Sequence, residues 1–109
     1  LLISYKMLGT NEWFVIQHTH CGMQGLTNEA VCARFEEDAV AHGGDAVAAH
    51  YIDFMPIAGE LEENLVRDVR RLRTHPLVPS FITIHGYIYD VHTGRLIVSE
   101  EAEKIGAAK

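Results

Sequence analysis

The side chains best suited to chemistry stand together in one short segment, His18-Thr19-His20-Cys21. The chain has seven histidines and two cysteines, and three of these nine side chains fall within those four positions. An imidazole and a thiolate three residues apart on a sharp turn can point at one ion, and mixed nitrogen and sulfur ligation favours zinc. We therefore predict that His18 and Cys21 bind a metal. Gly22 follows them, and a residue without a Cβ lets the backbone turn tightly and approach a bound ligand or substrate.

A His-x-x-Cys pair by itself leaves alternatives open. Many such pairs bind no metal, and a catalytic zinc ion takes three protein ligands and a water molecule, whereas no third ligand is evident in the sequence. Cys32 lies on a predicted helix, where a small buried residue is the better interpretation. We expect His20 to face solvent or to contact a metal-binding residue rather than the metal.

The element that must position this segment is the strand before it. Trp13-Phe14-Val15-Ile16 is an unbroken aromatic and β-branched run that is too short for a helix. Such a run predicts a strand buried on both faces, as in a parallel sheet covered by helices. In open α/β sheets ligands bind just beyond the carboxyl ends of the strands, which is where His18 and Cys21 would lie.

The remaining pattern predicts helices over residues 1–8, 27–42 and 60–74, and strands over residues 81–89 and 95–98. The third helix is the clearest, because Leu61, Leu65, Val69 and Leu72 recur at helical spacing. The order α-β-α-α-β-β predicts an α/β fold with a mostly parallel sheet, flanked by helices and ending in a C-terminal hairpin. One buried strand needs parallel neighbours that the chain does not offer, so we expect an incomplete sheet. We predict one domain over residues 1–98 and a tail, frayed or disordered, over residues 99–109.

The composition excludes several classes of function. The 109 residues are 48% hydrophobic, which suffices for a core, and the formal net charge of -6 argues against a nucleic-acid partner. The arginines between Arg67 and Arg73 fit a solvated helix end. No apolar run reaches the roughly 20 residues that span a membrane. Two cysteines are too few for a disulfide scaffold, so we expect reduced thiols and a cytoplasmic location. His85, within an apolar strand, is interpreted as a hydrogen-bonded core histidine rather than a ligand.

Two blocks of sequence resemble one known family. Gln17-His18-Thr19-His20-Cys21-Gly22-Met23 resembles the His-Thr-Asp-Cys-Gly-Met signature of the β-class carbonic anhydrases. Residues 70–79 and 84–96 resemble the closing helix and hairpin of the same family. The resemblance runs from the first helix to Leu96 and therefore covers nearly the whole chain.

The resemblance implies a zinc enzyme in which a zinc-bound hydroxide reversibly hydrates carbon dioxide to bicarbonate. It assigns two zinc ligands to His18 and Cys21, and we expect Gly22, next to them, to contact the substrate. It also implies a homodimer or a higher homo-oligomer. Relatives that hydrolyse carbonyl sulfide or carbon disulfide, and a non-catalytic interaction protein with an incomplete zinc site, remain alternatives.

The chain departs from the family pattern in two ways. The family has its first zinc ligand and an Asp–Arg pair in an upstream Cys-x-Asp-x-Arg motif, which is absent here. We therefore expect no catalytic acid–base residue within these residues, and we expect the chain to be the C-terminal portion of a longer protein. The second departure is His20, which stands where close relatives carry Asp.

Overall fold

The computed structural model describes all 109 residues, which divide into two compact units. The larger unit comprises Leu1–Cys21 and Glu60–Lys109, and the smaller unit comprises Gly22–Gly59. The helices and strands, in chain order, are α1 (Leu2–Leu8), β1 (Glu12–His18), α2 (Asn28–His42), a 3-10 helix (Ala46–Tyr51), α3 (Leu61–Arg73), β2 (Thr83–Asp90), β3 (Arg95–Val98) and α4 (Glu100–Gly106). No helix is both long and apolar enough to cross a bilayer.

The sheet of the larger unit has three strands in the order β1-β2-β3. β1 runs parallel to β2, with Glu12 opposite Thr83 and His18 opposite Tyr89. β2 and β3 are antiparallel and form the predicted C-terminal hairpin. The α/β class, the helices around the sheet and the terminal hairpin are therefore confirmed, in the form of a small mixed sheet.

The core of the larger unit lies between this sheet and the last two helices. It consists of Trp13, Leu65, Val66, Val69, Ile82, Ile84 and Ala102. Leu65 and Val69 come from the apolar stripe that the sequence predicts for α3, and both are fully buried. Their burial against alternate residues of β1 and β2 fixes which face of each strand points inward.

β1 is not buried on both faces, so that prediction is wrong. Trp13 is buried, whereas Phe14 and Ile16 keep 53% and 51% of their surface exposed. The helices cover only the face that carries Trp13, and β1 is an edge strand. The continuous apolar run therefore reflects two apolar faces, of which these residues cover one.

Helix α4 is more ordered than the sequence suggests. Ser99 accepts a hydrogen bond from the Ala102 amide as the N-cap, and Ala102 is fully buried. The helix lies against the first half of β2, where the Ser99 N–H donates to the carbonyl of Gly86. Gly86 and Gly106 permit this approach. A Cβ on Gly86 would lie 2.4 Å from the Cβ of Ala102, and one on Gly106 would lie 1.8 Å from the carbonyl oxygen of Ile84.

Arg73 connects the end of α3 to this arrangement, a role that the sequence does not predict. Its guanidinium donates to the carbonyl of Ile82, to that of Gly106 at 2.8 Å and to that of Ser80 at 3.2 Å. The arginine therefore satisfies backbone acceptors at the C-terminus of α4 and before β2, instead of forming part of a solvated helix end.

The smaller unit is built around α2. Thr27 is its N-cap and accepts from the Ala30 amide at 3.2 Å, while Gly43 ends the helix with a left-handed backbone. Phe35 stacks on Phe54 with ring centroids 5.0 Å apart. Cys32 is 7% exposed, and its thiol donates to the carbonyl of Ala49 at 3.2 Å, which confirms the interpretation as a small buried residue.

Candidate metal centre

His18 is the last residue of β1 and stands at the carboxyl end of a parallel strand pair. Its Nδ1 lies 2.9 Å from the carbonyl oxygen of Thr19. Because a carbonyl only accepts, Nδ1 donates in this contact, and in the neutral ring the lone pair is then on Nε2. Metal-binding histidines commonly donate their second ring N–H to a carbonyl or carboxylate in this way. The exposed imidazole therefore has the tautomer that a metal ligand needs.

Cys21 follows on the turn after β1. Its thiol is half-buried and free, and it forms no disulfide with Cys32. A thiolate at this position would be a soft ligand that complements the imidazole nitrogen of His18.

The backbone of the turn is strained at His20, which the sequence did not indicate. His20 has φ 54, in the left-handed region, whereas Gly22 does not have a positive φ. Histidine, asparagine and aspartate occupy this region more often than most non-glycine residues. The turn therefore does not require a glycine at position 22, and a Cβ added there would meet nothing within 4 Å.

The chain brings together no group of three or more His, Cys, Asp or Glu side chains that could hold a metal ion. His85, the other histidine of the larger unit's strands, is engaged elsewhere. Its Nε2 lies 2.8 Å from a carboxylate oxygen of Glu12 and its Nδ1 lies 2.9 Å from one of Glu103. The predicted hydrogen bonding of His85 is confirmed, but its placement in the core is wrong, because the ring stacks on exposed Phe14 on the other face of the sheet.

The electrostatics of His85 follow from these two carboxylates. Burial by itself would lower the pKa of His85, but the hydrogen bonds and charges of Glu103 and Glu12 outweigh it and raise the pKa above its ordinary value. One oxygen of Glu103 also accepts from the Gly86 amide at 3.0 Å, so the carboxylate serves as a hydrogen-bond acceptor for β2 where β3 has ended.

Comparison with known proteins identifies the relatives of this chain. A carbon disulfide hydrolase of Acidithiobacillus thiooxidans is 25% identical over 105 residues, which cover 87% of this chain and 53% of that protein. β-Carbonic anhydrase 1 of Mycobacterium tuberculosis is 29% identical over 96 residues, which cover 88% of this chain and 54% of that protein. No family model matches the chain.

A solved structure matches in the same way. The carbonic anhydrase from Glaciozyma antarctica superimposes with a TM-score of 0.78 and 31% identity, covering 90% of this chain and 56% of that one. The relatives and structural neighbours of the chain are therefore β-carbonic anhydrases and carbon disulfide hydrolases. It spans about half the length of the relatives it matches.

Like the β-carbonic anhydrases it resembles, the chain has donor types that zinc accepts, but it has too few of them. An imidazole with a free Nε2 and a free thiol are ligands that zinc accepts. A complete site needs at least one more protein ligand, and the chain brings none to this turn.

The turn also contains a contact between His20 and His92 that the sequence did not predict. The Nε2 atoms of His20 and His92 lie 3.0 Å apart, and the two rings meet edge to face with centroids 4.7 Å apart. The residues are 72 positions apart in the sequence, so only the parallel pairing of β1 with β2 brings them together. No local pattern could have indicated this pair.

Proposed function

We propose that His18 and Cys21 are two ligands of a zinc ion in an enzyme that reversibly hydrates carbon dioxide to bicarbonate. The observation that carries the proposal is the state of the two donors. His18 Nδ1 is held by the Thr19 carbonyl, which leaves Nε2 free, and the thiol of Cys21 is free on the same turn. A zinc ion held there would make a water molecule nucleophilic near neutral pH by lowering its pKa.

The residues of this chain would contribute binding and orientation. The thiolate of Cys21 would offset part of the charge of the cation, and the neutral imidazole of His18 would fix its direction from the end of β1. Gly22 has open space around the position of a Cβ, which suits the approach of a small substrate. In this proposal the third protein ligand and the acid–base group come from outside these 109 residues.

A second substrate class is supported by the comparisons. The relative from Acidithiobacillus thiooxidans is a carbon disulfide hydrolase, at an identity similar to that of the carbonic anhydrases. Carbon disulfide and carbonyl sulfide are linear analogues of carbon dioxide and are open to the same attack at carbon. We therefore propose hydrolysis of these compounds as the alternative activity of the same site.

The experiment measures metal content and turnover together in the natural polypeptide that carries these residues. Zinc is quantified in the purified protein, and stopped-flow hydration of carbon dioxide is compared with hydrolysis of the two sulfur compounds. His18→Ala and Cys21→Ser are expected to lose zinc and activity. His42→Ala, an exposed histidine of α2, is the matched control and is expected to keep both.

The outcomes separate the candidates. Carbon dioxide hydration is refuted as the activity if the zinc-loaded protein accelerates only the hydrolysis of the two sulfur compounds. A protein that contains no zinc and has no activity on any of the three compounds would instead be a non-catalytic interaction protein on the same fold.

We also propose that the protein functions as a homo-oligomer. The side chains of β3 support this, because Leu96, Ile97 and Val98 each keep about half of their surface exposed. Light scattering coupled to size exclusion would give a multiple of the monomer mass, whereas a monomer at micromolar concentration would contradict the proposal.

A further inference from the structure

The turn between β2 and β3 is bonded to the turn that carries Cys21. The Thr19 N–H donates to the carbonyl of Tyr89 at 3.0 Å, and the Val91 N–H donates to the hydroxyl of Thr19 at 3.1 Å. The pairing of β1 with β2 therefore continues one residue past the end of β1. A side-chain oxygen of Thr19 replaces the next backbone acceptor.

A second bond joins the same two turns one residue further on. In the contact between His20 Nε2 and His92 Nε2, one ring must donate and the other must accept. His20 is also the residue with the left-handed backbone. A backbone conformation that residues other than glycine rarely adopt persists when its surroundings stabilise it. For His20 the ring of His92 is the side-chain contact that can do so.

The turn between β2 and β3 is well suited to act as the fixed partner. The His92 N–H donates to the Asp90 carboxylate at 2.9 Å, and the Gly94 N–H donates to the Asp90 carbonyl at 2.8 Å. The hydrogen bond from the His92 amide also lowers the pKa of Asp90, so the carboxylate remains an ionised acceptor over the physiological range. This network holds the backbone at His92, from which the ring reaches His20.

We propose that the Asp90–Gly94 turn sets the conformation of the Thr19–Cys21 turn, with Thr19 and His92 as positioning residues for the two metal donors. The inference rests on the proposed function only where it concerns the metal. The hairpin would hold Cys21 in one position relative to His18, so that both donors can meet one ion without a change of backbone conformation.

The test uses the metal-free form of the natural polypeptide that carries these residues and needs no activity. Thr19→Val removes the acceptor of the Val91 N–H at nearly constant shape, and His92→Ala removes the ring that holds His20. Each is expected to raise the alkylation rate of Cys21 in the metal-free chain about fivefold, the factor that corresponds to one net hydrogen bond. Thr19→Ser is expected to restore the rate, and His75→Ala, at an exposed histidine, is the control.

Two further measurements distinguish positioning from general destabilisation. The dissociation constant for zinc is expected to rise about tenfold in Thr19→Val and His92→Ala, the lower end of the effect of residues behind metal ligands. The amide hydrogen exchange of β2 is expected to stay unchanged, because its bonds lie before the turn.

Each result has one meaning. An unchanged Cys21 alkylation rate in both variants would overturn the inference, and so would an equal increase in hydrogen exchange throughout β2. If the unmodified natural polypeptide binds no zinc while alkylation of Cys21 still responds, the proposed function fails and the positioning of the turn stands.

Discussion

A methyl group added to Gly86 tests the packing of α4 against β2. The new Cβ would lie 2.4 Å from the Cβ of Ala102, far inside the roughly 3.5–4.0 Å of an ordinary carbon contact. It would also meet a Val69 methyl at 3.4 Å and Leu65 Cγ at 3.5 Å, so the core offers no free direction. Gly86→Ala must therefore push α4 away from the strand.

The expected magnitude follows from three contributions. Overpacking makes Gly86→Ala cost about 2–3 kcal/mol of the free energy of unfolding. Ala102→Gly alone costs about 2 kcal/mol, half from glycine inside a helix and half from the lost buried methyl. The double variant moves one methyl group across the contact, so only the helix cost of about 1 kcal/mol should remain. The two substitutions together should therefore cost about 3–4 kcal/mol less than the sum of their separate costs, at or just above the upper end of measured coupling energies.

The assay is urea unfolding followed by the fluorescence of Trp13. This residue is the single tryptophan of the chain and is 3% exposed in the core of the larger unit, so it reports the unit that is perturbed. The difference between Lys104→Gly and Lys104→Ala, at an exposed position of α4, measures the cost of a helix glycine without any change in packing.

A Gly86→Ala variant that loses less than about 0.5 kcal/mol, the usual range for surface substitutions, would contradict this packing. A double variant that costs the sum of the two single variants would contradict it equally. Either result would mean that the strand and the helix do not approach as closely as the structure has them.

Three further outcomes are expected from the same unit. His85 has a raised pKa, so its bonds to Glu12 and Glu103 contribute fully below about pH 6.5 and are lost as pH rises through the folded-state pKa. Unfolding free energy should therefore fall as pH rises above about 6.5, and His85→Gln should flatten the urea-midpoint profile; an unchanged slope contradicts this. Gly106→Ala should cost about 3 kcal/mol or more, because its Cβ would meet a backbone oxygen. Arg73→Met keeps the stem but removes the donors and should cost about 2–3 kcal/mol, measured by the same unfolding; a loss below about 0.5 kcal/mol would show that those carbonyls find other donors.

The elements that the sequence predicts well are those with a local signal. The apolar spacing of α3 and the run that begins at Trp13 locate a helix and a strand within a few residues. The order of these elements was enough to predict the α/β class. Local signals suffice because propensity, periodicity and capping all depend on neighbours in the sequence.

The features that the sequence did not predict depend on distant residues. In the sequence, Arg73 is one of several arginines typical of a solvated helix end. The Gly106 carbonyl that it binds comes from α4, which lies beside it only in the folded chain. The strain at His20 and its contact with His92 depend on a strand register that joins the two ends of the chain. The motif His-x-x-Cys predicts the donors, but whether they form a metal site depends on residues that no local pattern indicates.

The register of β1 with β2 also has a kinetic consequence. The β2–β3 hairpin closes a loop of a few residues, whereas the bond between Thr19 and Val91 joins positions 72 apart. Loop closure costs entropy that grows with loop length, so the hairpin should form early and the parallel pairing late in folding. The Cys21 turn acquires its supporting contacts only in that late step. We expect this turn to become ordered last. Because local unfolding begins at the least stable contacts, we also expect it to open first.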